Sequence, residues 1–561
     1  MWYTTYDYPL KEVPCLGKRM KKNGFVEGAV AAYAAIIVTK LLGALYGIPF
    51  YGIIGDTGGV IYSCAYNVYS LLLDVSTSGI PVAMSILISE YSARGQYYTE
   101  KRAYRLGLQL IGILSLLAFA VLQLFAPQIE RFFLADMTEG VAVGDIETAI
   151  RVMAFCLLIV PFLSLRRGYL QGHKFIAVAS RSQVIEQAVR IAVVLVGSYV
   201  AIRVLQLGTV TGVCFALSGA AVGAAAALLY LQVKSRRSAA LFHTGECTET
   251  HAAPRSVILR RIFSCCLTIV IVSMANSIYN LVDMKMLLLG LHRIGFTDEA
   301  TQTIASVAST WIPKISMILV ALPLGLTSSI APHMAESYAA GDRKGVNRKF
   351  NQALGTLFLL LLPLSVGMIL FAEPIYRVFY GSNPYGASIL QFSAVINVIG
   401  SVGTVASMTL QSVNRGKAVC FYTVIGLTAN AALDLPFIYL FQWLGWPAYL
   451  GASFSSVLGQ ALTAWLLLRF MKRQLRFTFR PAVRTFLRSF LPTLAMLAVV
   501  WPLHAVWPPV ETRGLALVAQ LAVDVLCGAA VYLPLAYKTG AVRDVFGSDA
   551  LQKLRHRLTG R

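Results

Sequence analysis

The sequence predicts an all-α polytopic membrane protein with about fourteen transmembrane helices, arranged as two parallel six-helix lobes followed by two C-terminal helices. Three observations predict this fold: the composition, the spacing of long uncharged runs, and an internal repeat. Of the 561 residues, 57% are hydrophobic and only 13% are charged, and the mean hydropathy is +0.67. Because soluble domains carry about 25% charged residues, water cannot be the main solvent of this chain.

Windows of about 20 apolar residues, the length that a bilayer core requires of a helix, predict each crossing in turn. The clearest uncharged run is 354–372. No signal-peptide cleavage pattern precedes the first run, so we expect it to remain as helix one. The predicted spans are 26–47, 60–88, 105–126, 149–165, 179–202, 209–232, 263–290, 304–331, 351–372, 386–410, 418–441, 448–468, 487–507 and 514–537.

The distribution of basic residues predicts the orientation. The formal charge of +22 comes from 48 Lys and Arg against 26 Asp and Glu, and the basic residues lie in short clusters between apolar runs. Segments dense in Lys and Arg remain in the cytoplasm, which predicts that both termini are cytoplasmic. The clusters on that side include 18–22, 236–237, 260–261, 343–344 and 469–488. This pattern is typical of a membrane protein, and we expect no nucleic-acid partner.

The repeat appears when the sequence is shifted by about 246 residues, the separation of Gly95 from Gly341. The shift places Phe125, Ala126, Ile129, Arg131 and Phe133 on Phe371, Ala372, Ile375, Arg377 and Phe379. Helices two and three therefore resemble helices eight and nine. A displacement of six crossings gives both copies the same orientation, and transporters built from such parallel repeats bind substrate near the midplane between the lobes.

These patterns predict the domain organisation. We expect a cytoplasmic N-terminal segment, an N-lobe, a polar inter-lobe linker, a C-lobe, a final helix pair with a preceding basic loop, and a cytoplasmic tail. The predicted ranges are 1–24, 25–233, 234–261, 262–470, 471–537 and 538–561.

Ionisable residues deep within membrane helices are the candidate functional residues, because they face a cavity or a partner. Lys40 and Asp74 both lie about fifteen residues from the cytoplasmic ends of their helices, roughly 22 Å deep, which predicts that they pair. Asp283 and Lys285 on helix seven and Lys314 on helix eight are their counterparts in the second lobe. By the same argument Asp283 and Lys314 lie within roughly 6 Å of each other along the membrane normal.

Further buried charges lie on later helices. Glu186 and Arg190 are spaced i, i+4 on helix five and share a face. Asp434 and Asp524 have no evident partner in the sequence, and Asp74, Asp283 and Asp434 are candidates for an ion or proton role. Two interpretations stay open for the charged set: structural ion pairs that hold helices together, and a polar cavity between the lobes that receives an anionic head group.

The sequence contains no phosphate-binding Gly-rich loop with its Lys, no HExxH and no GxSxG. We therefore expect a protein that is not an enzyme and has no cofactor. The seven His and nine Cys are dispersed without metal-ligand spacing, so we expect no metal site and reduced cysteines.

Several stretches resemble a known family. They are Lys40 to Pro49, Tyr66 to Tyr69, Ser78 to Ala83, Ser89 to Tyr91, Arg167 to Gly172, and Gln183 to Gln187 with Arg190. Over nearly the whole chain, the sequence is similar to the polysaccharide transporters of the stage V sporulation protein B type. That family lies in the multidrug, oligosaccharidyl-lipid and polysaccharide exporter superfamily and is related to the lipid II flippases.

The resemblance implies an alternating-access flippase in the bacterial cytoplasmic membrane. Its cargo would be an undecaprenyl-linked saccharide such as lipid II or a polysaccharide precursor, and its partners would be membrane lipids and the enzymes of cell-envelope synthesis. Basic residues between the lobes would receive the pyrophosphate, and Lys40 lies on a matching motif. The resemblance further implies that the two C-terminal helices guide the lipid tail.

Two alternatives remain open. A cation-coupled multidrug exporter of the same superfamily would, by resemblance, have twelve helices and an acidic residue in helix one, where this chain has Lys40. A non-transporting scaffold for envelope or spore assembly would have little use for buried charge.

Overall fold

The computed structural model describes residues 34–35, 38–77, 79–134, 141–142, 144–237, 249, 251–317, 319–321, 330, 334, 337–338, 340–506 and 514–545. Every regular element in these ranges is helical. The α-helices are α1 (Gly47–Thr77), α2 (Gly79–Ala93), α3 (Tyr97–Leu134), α4 (Asp145–Ala154), α5 (Val160–Gly172), α6 (Ile176–Ala192), α7 (Thr209–Arg237), α8 (Arg255–Arg293), α9 (Asp298–Ser306), α10 (Arg343–Leu370), α11 (Ala372–Tyr380), α12 (Gly386–Ser412), α13 (Gly416–Trp443), α14 (Leu450–Gln474), α15 (Arg480–Val506) and α16 (Leu515–Lys538).

Several crossings are not purely α-helical. A 3₁₀ turn (Phe155–Leu158) joins α4 to α5, and π-helical turns (Val193–Gly197, Val200–Val204) continue α6. A π-turn (Val307–Trp311) follows α9. These irregular turns lie inside helical crossings, where neighbouring helices can satisfy the backbone groups that they free.

The all-α membrane fold predicted from the sequence is confirmed. In the described part of the chain, twelve helical runs are long and apolar enough to cross a bilayer. One of them, Val38–Ala93, has 56 residues, far more than the roughly 20 that one crossing needs. A backbone break at Gly55, with φ 67° and ψ −170°, divides it into the first two predicted crossings. The eighth predicted crossing is helical from Asp298, and much of residues 318–331 lies outside the description.

Within the second crossing, α2 begins at Gly79, the first residue of the motif Gly79-Ile80-Pro81. The structure places Gly79 where helices pack closely, since a Cβ there would lie 2.5 Å from Val270 Cγ2 and 2.7 Å from the Cys266 carbonyl oxygen. Gly168 approaches the Pro81 carbonyl oxygen equally closely. Small residues at this position therefore permit α2, α5 and α8 to approach one another. The corresponding motif 322–325 lies outside the described residues.

The backbone supports the internal repeat. Gly95 precedes α3 with φ 70°, and its repeat partner Gly341 precedes α10 with φ 76°. Both turns need the left-handed conformation that glycine adopts without steric cost. The copies differ at their far ends, because α3 continues through Phe125 whereas its partner Phe371 separates α10 from the short helix α11.

Successive crossings place their connections alternately on two faces. We call the side that holds turns 94–96, 173–175, 249–254, 341–342, 414–415 and 475–479 the linker face, and the other side the opposite face. We use the name N-lobe for the described helices up to α7 and the name C-lobe for α8 to α14. Helices α15 and α16 pack on the C-lobe, where Tyr532 Oη donates a hydrogen bond to the Leu359 carbonyl oxygen at 2.6 Å and Phe358 meets Phe486 with ring centroids 5.2 Å apart.

The seven cysteines in the described ranges are free thiols. Cys15 and Cys247 lie outside those ranges.

Candidate functional site at the lobe interface

An aromatic cluster joins the two lobes toward the opposite face. Trp311, fully buried, lies 4.8 Å from Tyr51 and 6.0 Å from Phe50 of the first crossing, and 5.3 Å from Tyr380 of α11, measured between ring centroids. Gly59 gives it room, because a Cβ there would lie 3.0 Å from Trp311 Nε1. The cluster thus closes the interface between the lobes on this side with large apolar surfaces.

The sequence analysis did not select this cluster. Its signal was the density of tyrosine in the first two crossings, at Tyr46, Tyr51, Tyr62, Tyr66 and Tyr69. The C-lobe partners, Trp311 and Tyr380, are separated in the sequence by all of α10 and most of α11, so their meeting was not evident from spacing.

Polar contacts extend the interface beyond the aromatic cluster. Asn67 Nδ2 donates to Ser309 Oγ at 3.2 Å and to Thr310 Oγ1 at 3.4 Å. Ser277 Oγ of α8 donates to Asp74 Oδ2 of α1 at 2.5 Å. The second crossing is therefore held to the C-lobe by hydrogen bonds that rocking of the lobes would have to break or slide.

Lys314 lies at the inner edge of the aromatic cluster. Its side chain is 5% exposed, and its Nζ lies 4.0 Å from the ring centroid of Trp311, 4.5 Å from that of Tyr62, 5.2 Å from that of Tyr46 and 5.6 Å from that of Phe50. Three of these four rings belong to the other lobe. Within the described part of the chain, Nζ has no hydrogen-bond acceptor.

This environment stabilises a cation only in part. Cation–π attraction contributes up to about 2 kcal/mol when the site is desolvated, but an ammonium carries three donors that aromatic rings do not satisfy well. A buried donor without an acceptor costs about 1–3 kcal/mol, and more if it is charged. Lys314 therefore presents unsatisfied donors at the interface between the lobes.

Glu186 and Arg190 lie on one face of α6, as their spacing predicted, with Arg190 Nη2 3.6 Å from Glu186 Oε1. The structure adds Arg167 of α5, whose Nη2 lies 2.8 Å from Glu186 Oε2 and whose Nε donates to Ser182 Oγ at 2.7 Å. Arg167 was part of the motif that carries the family resemblance, but the sequence analysis did not select it as a site residue.

The three side chains form a partly buried triad, with 14% of the Arg167 and Glu186 side chains and 24% of the Arg190 side chain exposed. Two guanidinium groups share one carboxylate, so the triad carries an excess of one positive charge. Arg190 Nε has no hydrogen-bond partner within the described ranges. The triad and Lys314 bury positive charge on two different lobes.

Helix α7 determines which face of α6 is free. Gly219 and Gly223 let α7 approach so closely that a Cβ on Gly223 would lie 2.6 Å from the Glu186 carbonyl oxygen. With that side of α6 covered, the Arg190 guanidinium interacts electrostatically with Tyr46, Tyr66 and Tyr69 of the first two crossings. The next residue after Glu186 also faces the first crossing, because Gln187 Nε2 lies 3.5 Å from the Cβ position of Gly43.

The predicted ion pair between Lys40 and Asp74 is not found among the described ion pairs. Asp74 instead accepts the hydrogen bond from Ser277. Both side chains are half-buried, so neither points fully toward lipid. Depth along the membrane normal does not fix the rotation of a helix about its axis.

The predicted similar depth of Asp283 and Lys314 does not make them partners. Lys314 faces the N-lobe, whereas Asp283 faces the C-lobe interior, where Asn430 Nδ2 donates to its Oδ1 at 2.5 Å and Ser456 Oγ to its Oδ2 at 2.6 Å. Lys285 differs from both, because its Nζ lies 4.9 Å from the ring centroid of Phe132 at the end of α3. The three C-lobe candidates therefore have three separate environments.

Asp434, for which the sequence indicated no partner, lies beside Asp283 and interacts with it directly. Ser455 Oγ donates to Asp434 Oδ1, whereas Oδ2 has no hydrogen-bond partner in the described residues. Two neighbouring carboxylates repel each other when both are ionised, so the pair favours a shared proton or a cation bound between them. Asp283 borders a cavity of about 210 Å³ that is also lined by Ser309, a residue in contact with Asn67 of the N-lobe.

Asp524 on α16, the other acid without an evident partner, lies 3.9 Å from His504 Nδ1 of α15. This pair connects the two C-terminal helices, away from the interface between the lobes.

Comparison with known proteins identifies the family. The family model described as "Polysaccharide biosynthesis protein" matches residues 25–319, more than half of the chain. The chain belongs to this family. A second model, MatE, matches residues 268–435.

Individual relatives agree with this assignment. The chain is 28% identical to "Lipid II flippase MurJ" of Bacillus subtilis (strain 168), over 91% of this chain and 94% of that one. It is 25% identical to "Stage V sporulation protein B" of the same organism, over 80% and 83%. A solved structure, "Lipid II flippase MurJ, inward closed conformation", covers 91% of this chain and 99% of that one with a TM-score of 0.60 and 16% identity, and shows the same fold. The family resemblance found in the sequence is confirmed.

Proposed function

We propose that this protein is an alternating-access flippase that moves a lipid-linked saccharide of the undecaprenyl-pyrophosphate type, lipid II or a polysaccharide precursor, across the bacterial cytoplasmic membrane. The linker face is cytoplasmic in this proposal, as are both termini, because the basic clusters of the sequence lie on that side. The names of its relatives support this class of cargo.

One observation carries the proposal: Lys314, a buried cation with no acceptor among the described residues, lies exactly where the lobes meet. A pyrophosphate offers several charged oxygens to such a donor, and hydrogen bonds between ionised partners are the strongest available to side chains. The triad of Arg167, Glu186 and Arg190 supplies further positive charge from the N-lobe. A head group between the lobes would then contact both.

The aromatic cluster suggests how access alternates. Tyr51 and Trp311 seal the interface toward the opposite face, so in this state a head group can reach Lys314 only from elsewhere. Binding would satisfy the Lys314 donors and draw them away from the rings of Tyr62 and Trp311. Since those rings hold the seal, we propose that occupation of Lys314 weakens the closed cluster and favours opening to the opposite face.

The carboxylate pair offers a coupling site. Asp283 and Asp434 favour a shared proton or a cation bound between them, and Met284, the residue after Asp283, contacts Asn67 of the N-lobe. Occupation of the pair can therefore alter the contact between the lobes. We propose that an ion or proton gradient acts through this pair.

The test is a leaflet-exposure assay in proteoliposomes with a labelled undecaprenyl-pyrophosphate saccharide. The wild type should move the lipid, whereas Lys314→Ala and Arg190→Ala should each reduce the rate at least tenfold. Lys417→Ala removes an exposed lysine from the start of α13 and should leave the rate unchanged. Absence of any protein-dependent movement of such lipids would refute the proposal.

A multidrug exporter is the second candidate, favoured by the MatE match and by the carboxylate pair in the C-lobe. Against it, Lys314 and the positively charged triad would repel a cationic drug at the interface. Ethidium efflux from cells that express the protein distinguishes the two. Efflux that survives Lys314→Ala while saccharide flipping is absent would favour the exporter.

A further inference from the structure

A second concentration of positive charge lies on the linker face, away from the lobe interface. A cavity of about 520 Å³ opens between the first turns of α3 and the chain that leads into α8. Basic and polar side chains dominate its lining: Lys101, Arg102, Arg105, Gln109, His251 and Arg255. No carboxylate is among the described residues that line it.

Two described carboxylates close to the cavity are engaged by other groups. Glu100 is buried on another face of α3, where its Oε1 lies 2.9 Å from His173 Nε2. Glu249 accepts hydrogen bonds from the backbone N–H of Thr99 at 3.0 Å and from its hydroxyl at 2.7 Å, at the N-terminus of α3. The cations of the cavity therefore remain available to an external anion.

Arg102 holds part of the cavity wall in place. Arg102 Nη1 donates to the carbonyl oxygens of Ala252 at 3.1 Å and Ala253 at 2.8 Å, and the Ala253 N–H donates to Thr99 Oγ1 at 2.8 Å. These bonds fix the end of the inter-lobe connection on the N-lobe, which brings Arg255 opposite α3. The site therefore exists as long as this connection stays docked.

The remaining cations have no partner in the described part of the chain. Lys101, Arg105 and Arg255 are exposed and make no ion pair with residues that the structure describes. Because Lys101 and Arg105 are one helical turn apart, they project from the same face of α3. Three uncompensated cations around one concave site can bind a phosphate group at several of its oxygens.

The surface below the cations indicates what carries that phosphate. Farther along α3 lie the exposed apolar side chains of Ile113 (66%), Leu116 (62%) and Leu117 (59%), and Leu116 is within about 60° of Lys101 and Arg105 around the helix axis. From Lys101 to Leu117 the helix rises roughly 24 Å, and α3 is uncharged between Arg105 and Glu130. The basic end of α3 at the linker face is thus followed along the helix by exposed apolar side chains that face lipid.

We propose that this cavity binds the head group of an anionic glycerophospholipid from the linker-face leaflet, with an acyl chain lying along Ile113 and Leu116. Basic pockets at the ends of membrane helices bind such head groups. A free phosphate would use the cations but not the exposed apolar side chains. Since the site joins α3 to the chain entering α8, the bound lipid would connect the N-lobe to the first helix of the C-lobe.

Native mass spectrometry of the full chain in detergent tests this, with phosphatidylglycerol and phosphatidylcholine of identical acyl chains in equal amounts. The wild type should retain phosphatidylglycerol preferentially. Each cation contributes about fivefold to anionic-lipid affinity, so K101Q/R105Q/R255Q should lose about a hundredfold. The matched variant K417Q/K472Q/R473Q removes three exposed cations from the same face and should change the affinity less than threefold.

Two further measurements distinguish a bound lipid from a bound free phosphate. Millimolar inorganic phosphate or glycerol phosphate should not displace the lipid, and a dihexanoyl phosphatidylglycerol should bind more weakly than a long-chain one. Thermal unfolding of both triple variants in detergent verifies that they are folded. Equal retention of the two lipids by the wild type, equal losses in the two triple variants, or displacement by soluble phosphate would each overturn the proposal.

Discussion

In the N-lobe, buried charge lies on α5 and α6, where Arg167 and Arg190 share Glu186. In the C-lobe it lies on α8 and α13, where Asp283 and Asp434 meet. The two lobes repeat one architecture, yet one buries an excess of guanidinium and the other an excess of carboxylate. A guanidinium stays charged in a protein, whereas a carboxylate can be neutralised by a proton. The first arrangement suits a permanently anionic cargo, and the second suits an exchangeable proton or cation.

The largest expected effect tests the N-lobe side. Glu186→Gln leaves two partly buried guanidinium groups without their counterion, which should lower the free energy of unfolding by about 3 kcal/mol. Thermal unfolding in detergent measures it. The control is Glu147→Gln, which breaks a more exposed pair with Arg151 (2.7 Å, with 28% and 47% of the side chains exposed) and should cost less than about 1 kcal/mol. Similar losses would mean that the triad is no more than a surface ion pair.

The C-lobe should respond in the opposite direction. Asp434→Asn removes the repulsion between two carboxylates and should raise the free energy of unfolding by about 2 kcal/mol in the absence of a gradient. The same change should abolish the dependence of flipping on an imposed ion or proton gradient in proteoliposomes. A destabilised variant that still responds to the gradient would remove the pair from the coupling proposal.

At the interface between the lobes, a single substitution should impair transport without lowering stability. Lys314→Met retains much of the volume and removes donors that lack acceptors, so the free energy of unfolding should stay equal or rise by about 1 kcal/mol. Flipping of the labelled saccharide lipid should nevertheless fall at least tenfold. If the substitution lowered both the free energy of unfolding and the rate of flipping, Lys314 would be a structural residue.

The smallest expected effect concerns the turns that precede α3 and α10, where the two copies of the internal repeat have the same backbone conformation. Gly95→Ala and Gly341→Ala both place a Cβ at positive φ and should each cost about 1 kcal/mol. Gly367→Ala, inside α10 with nothing within 4 Å of the added Cβ, should instead be neutral or stabilising, since alanine favours helix. Unequal costs at Gly95 and Gly341, measured by thermal unfolding, would show that the two turns are not equivalent.

The candidate site was predictable only in part. Glu186 and Arg190 were identified together because both lie on one helix, where spacing fixes the geometry. The companions of Asp74, Asp283 and Lys314 could not be found in this way, since each lies on another helix whose rotation and register are set by packing. Arg167 was hidden because its partner lies on the next helix, beyond the turn at 173–175.

By itself, the sequence determined which segments are helices in the membrane, how they alternate between two faces, and that the bundle is duplicated. These are local properties: a bilayer requires about 20 apolar residues for each crossing and satisfies no free backbone groups, so hydropathy alone locates the spans. Tertiary structure alone decided which buried charges meet. The observed contacts are those of Asp74 with Ser277, Asp283 with Asp434, and Lys314 with Trp311 and Tyr62. They depend on glycines such as Gly59, Gly79 and Gly223, which let particular helices approach closely. They also depend on the rotation of each helix about its axis, which depth along the membrane normal does not specify.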